Sequence, residues 1–416
     1  MSKPAVLVVP AGFLFHWEEE HLNIKVSHLH PHHDGRVTGE LLITTTNPGY
    51  APHLHQADFN FKSTITREKL AKYMTQRYSE ANWDSVLEQV CVYVLANIRQ
   101  GEPARILTSD DEVTKPQYLL YPIAPLGLPS VLYGEAGSAK SYIALLFAIC
   151  SCLPWEDNPL GIIPHPKGHL PLYLDWEMSE QTLAWRLKQL ANGCSLPCIP
   201  IPYRFCSSPL ADDIERIQEV MLETKAEFLI IDSLGAAAGG DLNTPETALR
   251  FFAALRQLKT TALILAHTSK DPNTKSKSIF GSVFFWNYAR SIDEVKATQD
   301  GDTVDIGLFH RKSNIGRLHK PLGLRLNFDD AANTVSAQSC DIRSIPELAE
   351  HLSLVTRLRE ALRQGALLHK ELITELNIEK ERLPSFNATL SREKKKGHLL
   401  QLPDNRWALP QKDEDA

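Results

Sequence analysis

Gly134-Glu-Ala-Gly-Ser-Ala-Lys140-Ser141 decides how this chain is read. The apolar run Val131-Leu132-Tyr133 precedes it and reads as a strand; Tyr142–Cys150, free of glycine and proline, follows and reads as a buried helix. A strand, a small-residue loop and a helix in that order form a phosphate cradle, because loop N–H groups and the helix N-terminus converge on one anion. The stretch fits G-x-x-x-x-G-K-[ST] except that Ala139 stands where a second glycine belongs. In that pattern Gly134, Glu135, Ala136, Gly137, Ser138 and Ala139 wrap the polyphosphate of ATP. Lys140 reaches the β- and γ-phosphates, and the Ser141 hydroxyl ligates Mg²⁺. An ordinary strand-to-helix turn is the competing reading, and the flanking pattern favours the nucleotide. Ala139 adds one methyl, expected to tune the loop and not to abolish it.

Composition bounds the rest. The 416 residues leave room for two or three domains, and 43% hydrophobic with 23% charged content is that of a folded chain. No apolar run spans a bilayer and the N-terminus lacks a signal-peptide layout, so no membrane partner is expected. Seven scattered cysteines suit a reducing cytoplasm, and Cys194, Cys198 and Cys206 match no zinc spacing. With a net charge of −6, nucleic acid could be held only by local basic patches.

Three blocks separate along the chain. Residues 1–116 read as a small α+β domain whose role the sequence does not give. Two strands, Asn23–His30 and Arg36–Thr45, join across Asp34-Gly35, and two helices follow, one capped by Ser63 or Thr64, the other by Asn82 or Asp84. His28 and His30 would share a strand face, but without ligand spacing they read as a polar strand end. Residues 117–337 alternate strands and helices, the pattern of a parallel-rich α/β sheet. Ala337–Ser344 reads as a linker, and 345–410 as three helices and a hairpin.

The middle block carries two acidic strand ends. Leu172-Tyr-Leu174 runs into Asp175-Trp-Glu177-Met-Ser179, where Glu177, with Asp175 in reserve, can polarise a water from beside the phosphate-loop strand. Phe228-Leu-Ile-Ile-Asp232 delivers a carboxylate to Mg²⁺. Ala262–Ala266 delivers His267, either a γ-phosphate sensor or a satisfied strand-end histidine. Together Gly134–Ser141, Asp175–Ser179, Ile230-Ile-Asp232-Ser233 and His267-Thr-Ser-Lys270 resemble the RecA-like ATPases, and most of all the RepA-type replicative helicases of plasmids and phages. Gly239-Gly-Asp241, Arg250–Leu255, Gly281-Ser282 with Ala289-Arg290, and Pro321–Arg325 fit the same pattern.

The resemblance covers roughly residues 117–330. It implies a RecA-like core that hydrolyses ATP between subunits of a homo-oligomer, expected as a hexamer, on single-stranded DNA. It further implies a DNA-binding loop over 270–282, where Lys270, Lys275 and Lys277 would neutralise phosphates and Phe280 would stack on a base. An ordinary solvated loop is the rival. Finally, it implies a basic finger after strand Thr303–Phe309, with Arg311 and Lys312 both open.

The last block resembles a winged helix-turn-helix. Its third helix would present Ser385, Asn387, Ser391, Arg392 and Lys395 to duplex DNA, with Arg406 on the wing. The acidic second helix (Glu371, Glu375, Glu379) leaves a protein-contact role as the alternative. The whole is expected to be a cytoplasmic Mg-ATP-dependent helicase or translocase in replication of a plasmid, phage or mobile element. Its rivals are a non-translocating ATP switch, such as a loader or recombination mediator, and a nucleotide-sensing DNA-binding regulator.

Overall fold

The computed structural model describes all residues except 1, 10–11, 33, 101–103, 105, 107–108, 110–115, 154, 269–278, 282, 364 and 411–416. The chain forms two units, Met1–Lys115 with Asp212–Lys225, and Pro116–Ala211 with Ala226–Ala416.

In the first unit, β1 (Ala5–Val9), β2 (Gly12–Trp17), β3 (Leu22–Pro31), β4 (Val37–Thr45) and β5 (His53–Asn60) make an antiparallel sheet in sequence order. β4 alternates buried and half-buried residues along its length, as a strand with one face on a core must. Two helices cover that face, α1 (Thr64–Arg77) and α2 (Trp83–Gln100). Phe15, Trp17, Ile24 and Leu41 meet Met74, Val86 and Val90 there. Ser63 Oγ caps α1 by accepting from Thr66 N at 3.2 Å, and Asn82 Oδ1 caps α2 through Ser85 N at 3.1 Å. Helix Ile214–Thr224, expected within the ATPase block, belongs to this unit, since Lys25 pairs with Glu219 at 3.2 Å and His28 with Glu215 at 3.3 Å. His28 sits at a bulge with φ +52°, which breaks the alternation expected for it and His30.

The second unit opens with short strands β6 (Tyr118–Tyr121) and β7 (Ala124–Pro125), then β8 (Pro129–Gly134) and α3 (Lys140–Cys152). There follow β9 (Ile163–Pro164), β10 (Pro171–Asp175), α4 (Glu180–Gly193) and β11 (Tyr203–Phe205). Past helix 214–224, here α5, come β12 (Phe228–Asp232), α6 (Leu234–Ala238), α7 (Pro245–Gln257), β13 (Thr261–His267), α8 (Val283–Tyr288), β14 (Ser291–Asp300), β15 (Thr303–Ser313), β16 (Leu322–Asp329) and β17 (Thr334–Ser339). They build one nine-stranded sheet in the order β11-β10-β12-β13-β8-β14-β15-β16-β17. It is parallel from β11 to β14 and antiparallel beyond. β10 therefore does not lie beside β8, as the sequence led us to expect. β12 and β13 stand between them, and β13 and β14 flank β8. α3 is apolar all round because it lies within the core: Ile143 through Cys150 are inaccessible to solvent.

The segment expected as a linker, Ala337–Ser344, is instead built in. β17 runs to Ser339, Cys340 N donates to Gly323 O at 3.0 Å, and Ile342, Ile345 and Leu348 pack with Phe309. Helix α9 (Pro346–Ala349) follows. The C-terminal segment then runs α10 (Leu354–Ala361), β18 (Leu367–Leu368), α11 (His369–Glu375), α12 (Leu383–Lys395), β19 (Leu400–Gln401) and β20 (Arg406–Ala408), with sheet order β18-β20-β19. Pro384 falls in the first turn of α12, and Gly397, at φ +74°, ends it. Leu358, Leu372, Phe386, Leu390 and Trp407 form a small core of their own.

The end of α4 lies against the β17 backbone so closely that a Cβ on Gly193 would meet Val335 O at 2.3 Å. Gly193→Ala is expected to lower stability by about 1–3 kcal/mol. Gly316→Ala, at a site with nothing within 4 Å, should stay within ~0.5 kcal/mol. Denaturant midpoints of the two full-length variants check this, and equal midpoints would refute the contact.

Candidate functional site

The loop between β8 and α3 is shaped by two glycines for different reasons. A Cβ on Gly134 would lie 2.7 Å from Val295 O of β14, so only glycine lets the two strands pair there. Gly137 has φ +76°, a left-handed conformation that glycine adopts without strain. Ala139 also sits left-handed, at φ +59° and ψ +20°, as the residue that starts α3. Its methyl is the departure from the phosphate-loop pattern, and holding it there costs roughly 1–2 kcal/mol.

Lys140 is buried, and its Nζ donates to Gly134 O at 3.0 Å, Glu135 O at 2.7 Å and Ser138 Oγ at 3.3 Å. Burial lowers its pKa, opposed by the negative charges of Asp232, Glu177 and Glu135. Beside it the Ser141 hydroxyl donates to Asp232 Oδ2 at 2.9 Å, and the Tyr173 hydroxyl donates to the same oxygen at 2.7 Å. Burial raises the Asp232 pKa, while the Tyr173 and Ser141 hydrogen bonds lower it. Serine hydroxyl and aspartate carboxylate are hard oxygen donors, the set that Mg²⁺ takes, so the residues present fit that ion.

The two carboxylates after β10 have different tasks. Asp175 is fully buried and spent on structure. Its Oδ1 accepts from Glu177 N and Met178 N, both at 2.9 Å, and its Oδ2 from Tyr203 OH at 3.1 Å. That turn projects Glu177 outward with a side chain 41% exposed. Glu177 Oε1 accepts from Ser233 Oγ and lies 3.8 Å from His267 Nε2. Although β10 is two strands removed from β13, the turn brings Glu177 back over the sheet to the β13 end.

Glu177, His267, Asp232, Lys140 and Ser141 line one cavity of about 530 Å³. Arg186, Tyr142, Gln299 and Phe328 line it as well. The Arg186 guanidinium lies 4.9 Å from the Tyr142 ring centroid, and Tyr142 meets Phe328 edge-on at 5.4 Å. None of these four was expected from sequence: Arg186 and Tyr142 are plain helix residues there, and Gln299 and Phe328 lie over 150 residues from the loop. A larger cavity of about 1220 Å³ shares Ala136–Ser138 of the loop and is lined also by Trp286, Lys296 and Arg311. The smaller one holds the converging acids and the lysine.

Arg311 and Lys312, both expected as finger candidates, now differ. Arg311 Nε donates to Glu294 Oε2 at 2.9 Å, its guanidinium lies 5.0 Å from the Phe309 ring centroid, and its side chain is one-third exposed. Lys312 Nζ donates to the carbonyls of Trp286, Asn287 and Ala289 at 2.7–2.8 Å, which closes the C-terminal end of α8 with all three ammonium hydrogens. Lys270, Lys275 and Lys277 lie outside the described residues. Phe280 is exposed, and its N–H donates to His267 O at 2.9 Å. Asn387, Ser391, Arg392 and Lys395 are exposed on α12, as is Ser385. Arg406 is exposed but paired with Asp404 at 2.6 Å.

An AAA-domain family model matches residues 101–273, a span that takes in the loop, both acidic strand ends and His267. No curated protein matches the chain. Among solved structures, a KaiC-like protein of the hyperthermophilic archaeon Pyrococcus horikoshii OT3 matches at 16% identity and a TM-score of 0.37, covering 57% of this chain and all of that one. No helix among the described residues is long and apolar enough to cross a membrane.

A carboxylate binds Mg²⁺ only when ionised, so the stabilisation expected from Mg²⁺ at Ser141 and Asp232 would be present above the raised Asp232 pKa and lost as pH falls through it. Tyr173→Phe removes a hydrogen bond that holds that pKa down. The acid midpoint of the Mg²⁺-dependent thermal shift is therefore expected to move to higher pH in the variant. An unchanged or lower midpoint would show that Tyr173 does not act on Asp232.

Proposed function

We propose that this chain is a Mg-ATP-driven motor on DNA, a RepA-type helicase or translocase that works as a cytoplasmic homo-oligomer, with six subunits expected. The reading rests on one observation: Lys140, Ser141, Asp232 and Glu177 converge in a single cavity beneath the phosphate loop. Ser141 and Asp232 would hold Mg²⁺, which would offset the phosphate charge. Lys140 exchanges its carbonyl partners for β- and γ-phosphate oxygens, and the backbone N–H groups of 135–141 take the rest. Glu177 orients the attacking water and accepts its proton, while Ser233 and His267 fix its position. Arg186 and Tyr142 offer flat surfaces on which the base stacks.

Arg311 is the better finger, because Lys312 already has its three hydrogens on carbonyl oxygens. To reach a neighbour's γ-phosphate, Arg311 must leave Glu294. That tether favours a second reading, a non-translocating ATP switch in which release of Arg311 by a partner starts hydrolysis.

Two surfaces would meet DNA. Single strands would run along 270–282, where Lys270, Lys275, Lys277 and Phe280 supply charge and a stacking ring. The Phe280–His267 hydrogen bond joins this loop's end to the end of β13, which supports a route from γ-phosphate to DNA. Duplex would meet the C-terminal segment, whose helix order and β18-β20-β19 sheet suit a winged helix-turn-helix presenting Asn387, Ser391, Arg392 and Lys395 on α12. Arg406 would join them only by releasing Asp404.

Glu177→Gln is expected to bind ATP yet turn over at least about a hundredfold more slowly. Asp175→Asn should instead destabilise the turn. Wild-type turnover should rise with single-stranded DNA, and normal hydrolysis by Glu177→Gln would remove the proposed base. In the full chain, Arg392→Ala with Lys395→Ala should weaken duplex binding and flatten its salt slope by about two, one per lost phosphate contact. Unchanged duplex affinity across salt would move the C-terminal segment to a protein-contact role.

A further inference from the structure

Asp293 on β14 is fully buried, and neither of its carboxylate oxygens makes a hydrogen bond. Its register partner on β15 is His310, and the chain after β15 returns His319 to the same point. One ligating atom from each of the three falls within 4.8 Å of the others. His319 Nε2 is 3.0 Å from Asp293 Oδ1, an ion-pair distance, yet the two are not aligned as a hydrogen bond and Nε2 also stands without a partner. The two imidazoles stack with centroids 4.0 Å apart.

We propose that Asp293, His310 and His319 form a binding site for a divalent cation of the zinc class, distinct from the nucleotide site. A buried carboxylate without donors is costly unless a cation meets it. Two ligands of one tetrahedral ion, each about 2.0–2.1 Å from it, stand roughly 3.3 Å apart, close to the His319–Asp293 separation. Two nitrogens and a carboxylate are the donor set of borderline divalent metals.

The surroundings fix the ring orientations such a site needs. His319 Nδ1 faces Lys320 O at 2.7 Å and serves as its donor, which leaves the Nε2 lone pair for the ion. His310 Nε2 faces Ser291 Oγ at 3.1 Å, which leaves Nδ1 as its ligand atom. Nδ1 also accepts the His319 backbone N–H at 3.0 Å, so binding exchanges that one hydrogen bond for the ion. A ligand shell so placed would pin the chain between β15 and β16 to the strands whose next residues are Glu294 and Arg311. The competing arrangement is a protonated His319 paired with Asp293, which needs the same residues but no metal.

Metal content of the full chain separates the two. Protein stripped with a chelator, equilibrated with Zn²⁺ and freed of excess in Mg²⁺ buffer is expected to hold about one zinc more per chain than His319→Gln or His310→Gln. The variant comparison subtracts any zinc held by the histidines before residue 56. Zn²⁺ should raise the thermal midpoint of wild type and leave both variants unmoved, and Co²⁺ should give tetrahedral absorption bands only in wild type. Circular dichroism verifies that each variant folds. If one does not, the other carries the comparison, with Asp293→Asn in reserve. Equal zinc content in wild type and folded variants would overturn the site and leave an ion pair.

Discussion

The Asp232 carboxylate organises the second unit. Two hydroxyls, Ser141 from the start of α3 and Tyr173 from the middle of β10, donate to one of its oxygens. Helix α3 is thereby held to the neighbouring strands β10 and β12 at one buried point. Burial works against the ionised carboxylate, and the two hydrogen bonds work for it. The same arrangement presents a serine oxygen and a carboxylate oxygen side by side. What stabilises the fold here also prepares a site for a hard cation.

A second division of labour follows from Asp175. Two backbone N–H groups and a tyrosine hydroxyl consume its accepting capacity, and the turn they hold carries Glu177 across to His267 and Ser233. One acid gives up its chemistry to aim the other. The basic residues at the end of β15 divide in the same way: Lys312 closes α8, and Arg311 stays on the surface against Glu294.

Sequence carried the local part of this well. The β8–loop–α3 unit, the acidic ends of β10 and β12, the cap at Ser63 and the three helices near the C-terminus are written in short windows of residues, since caps, periodicity and glycines act locally. Strand order is not local. That β12 and β13 lie between β10 and β8, and that β14 continues the parallel sheet, depends on pairings across scores of residues that no window contains. β14 carries Asp293 and Glu294 inside the sheet, and their partners His319 and Arg311 come from later segments of the chain. Helix 214–224 was misplaced for the same reason, its allegiance resting on Lys25 and His28 nearly two hundred residues earlier.

Ala139 shows how far local reading reaches. The missing glycine was visible at once, but its weight depends on a backbone angle that only the folded loop reveals. At φ +59° the alanine strains the start of α3, where glycine would relax it. Strain stored at a ligand clamp narrows what the loop can do, and a residue free to relax would let the Lys140 ammonium and the loop amides sample other arrangements. Ala139 therefore exchanges some stability for a loop held nearer one shape. The methyl that departs from the pattern acts on the same N–H groups that the pattern exists to aim.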